Sequence, residues 1–261
     1  MKGIIGAICG DIVGSKYERN AINTKDFPLF DESSKFTDDT IMTLAVASWL
    51  IIDKDSQDVL IEELQFFGKK YPWGGYGGNF NQWLAAENPQ PYGSWGNGSA
   101  MRVSPVAWAG NTLNEVQDLA KKSAVVTHNH PEGIKGALAT ADAIFLARTG
   151  CDKSEIKNHV ETNYGYDLSR KLDDIRPVYT FDVSCQGSVP ESIICFLEAD
   201  DYEDTIRNAV SLGGDADTQA AIAGSIASAF YDVPFEIADA ATDYLDEMLL
   251  EVLMEFNDAY L

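Results

Sequence analysis

The sequence predicts an all-α fold in a single domain, and three observations support this prediction. Apolar residues recur mainly with the period of an α-helix, and strand-like alternation is scarce. With 261 residues, the chain is close to the largest size that one hydrophobic core supports, about 250–300 residues. No internal repeat, low-complexity segment or linker interrupts it. We therefore expect one multi-helix bundle over residues 1–261.

The first two predicted helices differ in composition. The N-terminal helix carries Gly6, Gly10 and Gly14 at intervals of four residues, which leaves one smooth face for close packing, and it ends near Ser15. The segment 38–52 (DDTIMTLAVASWLII) is apolar on almost every side after its first turn. Such a helix is expected at the centre of a bundle.

Further helices are predicted at 113–125, 131–148, 188–198, 201–212 and 215–230. The last helix, 235–256, follows Pro234 and has an apolar stripe opposite an acidic face. Two segments rich in Gly, Asn and aromatic residues, 71–83 and 91–100, break the helical pattern. They are either plain surface connections or loops whose backbone approaches a ligand closely.

The charge balance excludes two classes of partner. The chain has 19 Lys and Arg against 41 Asp and Glu, a formal net charge of −22. We therefore expect neither nucleic-acid binding nor docking on anionic membranes, since both depend on basic patches. No apolar run reaches the length of a membrane helix, and Asp11 interrupts the short apolar start. The four cysteines lack metal-site spacing, so we expect reduced thiols in a cytoplasmic protein.

Two acidic clusters, Thr37-Asp38-Asp39-Thr40 and Gly213-Gly214-Asp215-Ala216-Asp217-Thr218, each precede an apolar helix. Each cluster alone is readily explained by helix capping, because an acid in the first turn complements the helix dipole. However, one cap needs one acid, and two neighbouring acids repel each other unless a cation lies between them. Carboxylate and hydroxyl oxygens are hard ligands that suit Mg²⁺, Ca²⁺ or Mn²⁺ better than zinc.

Glu18 and the histidines also have ordinary structural interpretations. Glu18 follows the N-terminal helix on a turn, where a surface acid is the simple interpretation. His128 and His130 stand at a helix entrance, and zinc is disfavoured because a catalytic zinc site needs three protein ligands and the remaining histidine, His159, lies in a polar segment. We expect these histidines to form hydrogen bonds, which would be useful against a sugar or a phosphate.

The segments, in this order, resemble the ADP-ribosylglycohydrolase family. The matching motifs are GAICGDIVGSKYE (6–18), FTDDTIMTLAVA (36–47), GSWGNGSAMRVSPVA (93–107), THNHPEGIKGA (127–137), GSVPESI (187–193) and GGDADTQAAIAG (213–224). The pair of TDDT and GGDADT motifs at this separation is the most specific part. The resemblance implies an all-α fold of the ADP-ribosylglycohydrolase type with a centre of two metal ions, Mg²⁺ or Mn²⁺.

The resemblance also implies roles for particular residues. By position, the metal ligands would be Thr37, Asp38, Asp39, Asp215, Asp217 and Thr218, and the catalytic group would comprise Glu18, Asp38, Asp39 and Asp217. Glu18 matches a mobile glutamate that gates the substrate. The ADP-ribose diphosphate and its distal sugar would lie against Gly93, Ser94, Trp95, Asn97, Gly98, Ser99 and Met101, with His128 near the bound ribose and the adenine. Trp95 replaces a frequent tyrosine and Ser99 a frequent glycine, which leaves the sugar contacts open.

The implied reaction is hydrolysis of the glycosidic bond between ADP-ribose and an amino-acid side chain of a modified protein, which reverses mono-ADP-ribosylation. We expect the metals to activate water for attack through an oxocarbenium-like transition state, by a monomeric enzyme whose partner is the ADP-ribosylated protein or peptide. Two alternatives stay open: hydrolysis of a small ADP-ribose derivative, and a non-catalytic ADP-ribose-binding or structural role. The sequence does not distinguish an arginine acceptor from serine or threonine.

Overall fold

The chain folds into fifteen helices without a β-sheet. The computed structural model describes residues 1–261 and contains a single isolated β-bridge, between Gly96 and Ser184. In chain order the helices are α1 (Ile5–Gly14), α2 (Asp38–Asp53), α3 (Gln57–Lys70), α4 (Gly78–Ala85), α5 (Gly98–Met101), α6 (Ser104–Ala109), α7 (Leu113–Val125), α8 (Pro131–Arg148), α9 (Lys153–Tyr164), α10 (Leu172–Ile175), α11 (Cys185–Leu197), α12 (Tyr202–Val210), α13 (Ala216–Phe230), α14 (Phe235–Thr242) and α15 (Glu247–Tyr260). The prediction of an all-α domain is confirmed.

A continuous apolar core joins the helices. It contains 75 buried residues drawn from all parts of the chain. Helix α2 lies at its centre, where Ile41, Leu44 and Trp49 are fully buried, as its all-round apolar sequence predicts. None of the helices is long and apolar enough to cross a membrane.

Helices α1 and α13 form the most extensive contact between any two helices. A Cβ added at Gly10 would stand 2.1 Å from the carbonyl oxygen of Ala220, and one at Gly14 would stand 2.5 Å from that of Ala216. These separations lie far inside van der Waals contact, so the two backbones touch directly and only glycine fits. The predicted smooth face of α1 is confirmed.

The C-terminal helix of the prediction is wrong as a single element. The segment 235–256 is divided into α14 and α15, with the break at 243–246. Asp246 ends the linker as the N-cap of α15, because its side chain accepts the Leu249 amide, and it also accepts a hydrogen bond from the Tyr71 hydroxyl. The apolar stripe keeps its register across the break, so Ile237, Leu245 and Leu249 are all buried.

The other helix predictions differ only at their ends. Helix α11 begins at Cys185 and accommodates Pro190 in its interior, earlier than the predicted start at 188. The segment 71–83, predicted to be irregular, contains the first residues of α4, and the segment 91–100 runs into the short α5. Helices α7 and α8 coincide with the predictions at 113–125 and 131–148.

Candidate active site

The two acidic clusters meet in one cavity of about 450 Å³. The N-terminal ends of α2 and α13 lie side by side there, although 179 residues separate the partners of a hydrogen bond that joins them: the Thr218 hydroxyl donates to Asp39 Oδ2 over 3.1 Å. Five of the six predicted metal-ligating residues are buried, and the sixth, Asp38, is half-buried. All six line the cavity.

The first cluster is shaped by the start of α2. Thr37 is the N-cap residue, with extended backbone, and its hydroxyl accepts the Asp39 amide. The amide of Asp38 donates to the carbonyl of Gly74, which fixes the turn from outside the helix. The carboxylates of Asp38 and Asp39 therefore stand at the positive end of the helix dipole.

Asp11, on α1, was not among the predicted site residues. Its carboxylate is fully buried and accepts four hydrogen bonds, from the amides and the hydroxyls of Thr37 and Thr40, at 2.5–3.0 Å. Oxygen atoms of Asp11, Asp39 and Asp217 lie within 4.8 Å of one another. A lone acid inside the otherwise apolar segment GAICGDIVG was the available signal, because such an acid must find partners when it is buried.

The second cluster depends on backbone that is not yet helical. Gly213 has a φ of +73°, and Asp215, just before α13, has a ψ of +75°. On an ideal helix Asp215 and Asp217 would point about 200° apart. The turn before α13 instead lets both line the cavity. Asn97, from the other side, donates to Asp215 Oδ2 over 2.7 Å.

The carboxylates make the site strongly electronegative. Burial raises the pKa of Asp38 to about 8, and repulsion from Asp11 adds to the rise. Burial also raises the pKa of Asp215 to about 6. The pKa values of Asp39 and Asp217 lie well above the usual range, through burial and then through repulsion, by Asp217 in the first case and by Asp215 in the second. A bound cation would relieve both causes.

The donor set fits a hard divalent cation. Asp39 Oδ1 is buried and has no hydrogen-bond partner, which is costly for a carboxylate oxygen unless an ion binds it. The other atoms that could bind a metal ion are carboxylate and threonine oxygens, which are the ligands that Mg²⁺ and Mn²⁺ prefer. Asp11 already receives four hydrogen bonds, so its main task here is to hold the Thr37 turn against α1.

Glu18 lies at the mouth of this acidic end. Its side chain is 25% exposed, lines the cavity, and forms an ion pair of 2.9 Å with Arg19, which is 78% exposed. The Arg19 guanidinium also stands 5.6 Å from the centre of the Phe181 ring. Glu18 is thus placed between buried carboxylates and solvent, which differs from the position of an ordinary surface acid.

The Gly-rich loop forms another wall, but only part of it faces the cavity. Ser94, Asn97, Gly98 and Met101 line the cavity. The other three predicted contacts point elsewhere: the Gly93 amide donates to Asn129, the Ser99 hydroxyl donates to the Gly133 carbonyl, and the exposed Trp95 ring packs against His130. The structure therefore does not bring Gly93, Trp95 and Ser99 into the cavity with their neighbours.

The opposite end of the cavity is aromatic and cationic. His128 lines it as expected, beside Tyr92, Phe80 and Arg102, which sequence reasoning did not select. Arg102 is 1% exposed, and burial lowers its pKa to about 10. Arg102 stands between the apolar residues Met101 and Val103, which was the available signal, although a basic residue is normally exposed.

The other two histidines have structural partners. His130 is the N-cap of α8, and its Nδ1 accepts the Glu132 amide over 3.1 Å. His159 Nε2 lies 2.7 Å from the buried Asp142 Oδ2, in a partly buried network with Tyr164 and Gln117. Both side chains are therefore engaged in hydrogen bonds within the protein.

Comparisons with known proteins place this geometry in a family. The sequence profile of the ADP-ribosylglycohydrolase family matches residues 1–259. The chain is 29% identical to the human ADP-ribosylhydrolase ARH3 over 306 residues, which covers 87% of this chain and 84% of that protein, and 28% identical to the mouse protein over 305 residues, with 87% and 82% covered.

A more distant relative and a solved structure extend the comparison. The ADP-ribosylarginine hydrolase Tri1 of Pseudomonas putida is 28% identical over 149 residues, which covers 53% of this chain and 39% of that protein. A solved structure described as an ADP-ribosylglycohydrolase-related protein complex superposes with a TM-score of 0.75 at 22% identity, covering 99% of this chain and 96% of that one. The fold is therefore shared, and with the profile match over nearly the whole chain, this protein belongs to the ADP-ribosylglycohydrolase family of hydrolases.

Proposed function

We propose that this protein is a metal-dependent hydrolase that cleaves the glycosidic bond between ADP-ribose and an amino-acid side chain of a modified protein or peptide. The observation that carries the proposal is the meeting of two distant acidic clusters in one cavity, joined by the bond from Thr218 to Asp39. Family membership supports the ADP-ribose linkage as the target. We further propose that the chain 1–261 acts as one domain, as a monomer in the cytoplasm.

The acidic end would hold the metal ions. Thr37, Asp38, Asp39, Asp215, Asp217 and Thr218 present the oxygen ligands, and two Mg²⁺ or Mn²⁺ ions would balance their charge. When bound, such ions supply Lewis-acid chemistry that activates water and orients hydroxyl groups of a sugar. Asp11 contributes by fixing the Thr37 turn, since it accepts hydrogen bonds from both Thr37 and Thr40.

The remaining residues of the cavity would bind ADP-ribose and manage protons. Because the protein carries a net charge of −22, its overall field repels a diphosphate, and local groups must hold it. The backbone around Gly98, at the start of α5, and the side chains of Ser94 and Asn97 supply such groups. Glu18, at the mouth, is placed to take or give the proton exchanged with the leaving side chain.

A peptide panel tests the proposal. Peptides ADP-ribosylated on arginine, serine or threonine are incubated with the protein in Mg²⁺ or Mn²⁺, and free ADP-ribose is quantified. We expect metal-dependent release from at least one peptide and none after chelation. Release from no peptide, together with turnover of a small ADP-ribose derivative, would favour the first alternative.

The non-catalytic alternative has a separate test. The retained carboxylates and the unpartnered Asp39 Oδ1 favour metal binding over a purely structural role. A thermal shift with Mg²⁺ or Mn²⁺, with and without ADP-ribose, decides between them. A metal-dependent rise in melting temperature supports a metal-binding protein, and no response supports the structural role.

A further inference from the structure

Arg102 is a buried cation without an anionic partner. Its Nη2 donates to the carbonyl of Ser123 and to the hydroxyl of Thr127, each over 2.8 Å, while its Nε has no acceptor. No carboxylate of the chain forms a salt bridge with it, and the Phe80 ring lies 5.9 Å from the guanidinium. Because a buried charge is costly unless it is compensated, its retention beside the cavity requires an explanation.

The Thr127 hydroxyl connects Arg102 to His128. Thr127 Oγ1 lies 2.7 Å from His128 Nδ1, and its only other acceptor, the Ala124 carbonyl, is 3.5 Å away. A guanidinium can only donate, so Oγ1 must accept from Arg102. In the competing arrangement Nδ1–H donates to the second lone pair of Oγ1, and the hydroxyl proton must go to the Ala124 carbonyl at the 3.5 Å limit of hydrogen bonding. Donation from the hydroxyl to Nδ1 avoids this long bond, so it is the favoured arrangement. In a neutral ring, an accepting Nδ1 leaves the proton on Nε2.

Nε2 of His128 points towards the Gly-rich loop. A Cβ added at Gly98 would stand 3.2 Å from Nε2, and one at Gly96 would stand 3.6 Å from it. Nε2 has no hydrogen-bond partner in the protein and His128 lines the cavity, so this nitrogen is available to a ligand. Burial, and then the charge of Arg102, hold the pKa of His128 well below its ordinary value.

We propose that Arg102 and Thr127 are positioning residues that fix His128 in the Nε2–H tautomer, so that it donates a hydrogen bond to an anionic or hydroxyl oxygen of the ligand beside Gly98. The identity of that ligand as ADP-ribose rests on the proposed function, whereas the tautomer is a property of the ligand-free protein. This arrangement of Arg102, Thr127 and His128, called the relay below, gives the cavity an uncharged hydrogen-bond donor in a fixed position. Arg102 supplies the positive charge itself, and its side chain is almost fully buried in the cavity wall.

Nitrogen-15 NMR of the histidine rings tests the relay directly. The chain has three histidines, so His130→Asn and His159→Gln assign the remaining pair of ring resonances to His128. We expect the wild-type protein to carry the His128 proton on Nε2 alone. Thr127→Val, which keeps the side-chain shape but removes the hydroxyl, should produce a mixture of tautomers, and Thr127→Ser should restore the Nε2–H form. A proton on Nδ1 in the wild type, or an unchanged tautomer in Thr127→Val, would overturn the proposal.

Calorimetry with ADP-ribose provides the second measurement. The donor faces a charged or polar oxygen, so Thr127→Val should weaken ADP-ribose binding about tenfold, with recovery in Thr127→Ser. Thr140→Val is the matched control, because Thr140 is fully buried on α8 and its hydroxyl has no partner. It should change neither the tautomer nor the affinity. Equal affinities for Thr127→Val and the wild type would contradict the role in binding.

The two measurements separate the inference from the proposed function. If the wild-type protein does not bind ADP-ribose, the proposed function fails, and the NMR result still decides whether the relay exists. If ADP-ribose binds and is released from peptides but His128 carries its proton on Nδ1, the proposed function stands and the relay is wrong.

Discussion

The two ends of the cavity hold buried charges of opposite sign, and different structural elements hold them. At the acidic end, carboxylates from helix N-terminal turns crowd together, and Asp39 Oδ1 has no partner. At the other end, Arg102 is buried without a carboxylate, next to an uncharged histidine. Arg102 forms no salt bridge with the aspartates, because its hydrogen bonds go to Ser123 and Thr127. The charge at each end is therefore uncompensated: the acidic end lacks a cation, and the other end lacks a negatively charged ligand.

The largest expected effect comes from removing a carboxylate at the acidic end. Asp38→Ala and Asp217→Ala should each lower turnover about a thousandfold, because each would remove a proposed ligand to metal ions that can supply several kcal/mol of transition-state stabilisation. The fold should survive, and the metal-free protein should gain stability since repulsion falls. Turnover of ADP-ribosylated peptides and circular dichroism measure the two effects.

Asp239→Ala is the matched control for this prediction, because Asp239 is an exposed acid on α14. It should leave turnover unchanged. Normal activity in both Asp38→Ala and Asp217→Ala would refute the assignment of the acidic end as a metal centre.

Glu18→Gln tests the role of Glu18 at the mouth of the acidic end. The substitution keeps the side-chain shape but removes a proton acceptor, so turnover should fall about a hundredfold while ADP-ribose affinity changes little. Steady-state kinetics and calorimetry separate these quantities. A change in affinity alone would make Glu18 a gate, and a variant equal to the wild type would return it to the role of a surface acid.

Gly98→Val examines the anion-binding end. The added Cβ would meet the His128 ring at 3.2 Å and occupy the space of the ligand, so ADP-ribose affinity should fall by up to about a hundredfold. Metal binding should persist, because none of the six proposed metal ligands belongs to the Gly-rich loop. Ser94→Ala would remove at most one hydrogen bond to a charged group and should cost less, about 1.5 kcal/mol, the lower end of the range for such bonds.

Calorimetry at saturating Mg²⁺ compares these two variants with the wild type. Should Gly98→Val bind ADP-ribose as tightly as the wild type, the Gly-rich loop is not the diphosphate site. The segment 71–83, whose Gly74 and Gly75 also line the cavity, would be the next candidate.

The smallest expected effect is on the stability of the metal-free protein. Burial raises the pKa of Asp215 to about 6 and of Asp38 to about 8, from an unfolded value near 4. A carboxyl whose folded pKa is raised favours folding in its protonated form, and that contribution is lost as pH rises through the folded value. The melting temperature in chelator should therefore fall by a few degrees between pH 5 and pH 8.

Added Mg²⁺ should reverse this loss, and its stabilising effect should grow with pH, because metal ligands must be deprotonated. Scanning fluorimetry at four pH values, with chelator and with Mg²⁺, measures both trends. A melting temperature that rises with pH in chelator would show that the carboxylates do not repel one another in the folded protein.

The helices were predictable from the sequence wherever a short-range pattern determines them. The glycines of α1, the all-round apolar α2 and the Pro131 start of α8 are examples, and so are the acid-rich turns before α2 and α13. The break between α14 and α15 escaped prediction because the apolar stripe runs through it in register, while the linker is fixed by the distant Tyr71.

The missed residues of the site have a common physical reason. The role of Asp11 depends on hydroxyl and amide groups 26 and 29 residues away, and the role of Arg102 depends on Ser123 and Thr127. Such partners are chosen by tertiary packing, which no local motif specifies. The loop motif 93–101 was predicted as a unit, yet Ser99 is bound to the Gly133 carbonyl and Trp95 packs against His130, so both point away from the cavity.

The direct backbone contact between α1 and α13 sets the distance between the carboxylates of Asp11 and Asp217. Asp11 lies between Gly10 and Gly14 on one side of this contact, and Asp217 lies in the first turn of the helix on the other. A methyl group at Gly14 would meet the Cα of Asp217 at 2.5 Å, so it would act as a wedge that pushes the two helix backbones, and the two acids with them, apart. We expect the ion preference of the site to follow such a wedge, since Mg²⁺ demands shorter distances than Ca²⁺. The spacing between α1 and α13, rather than a flexible loop, would then determine which ion binds.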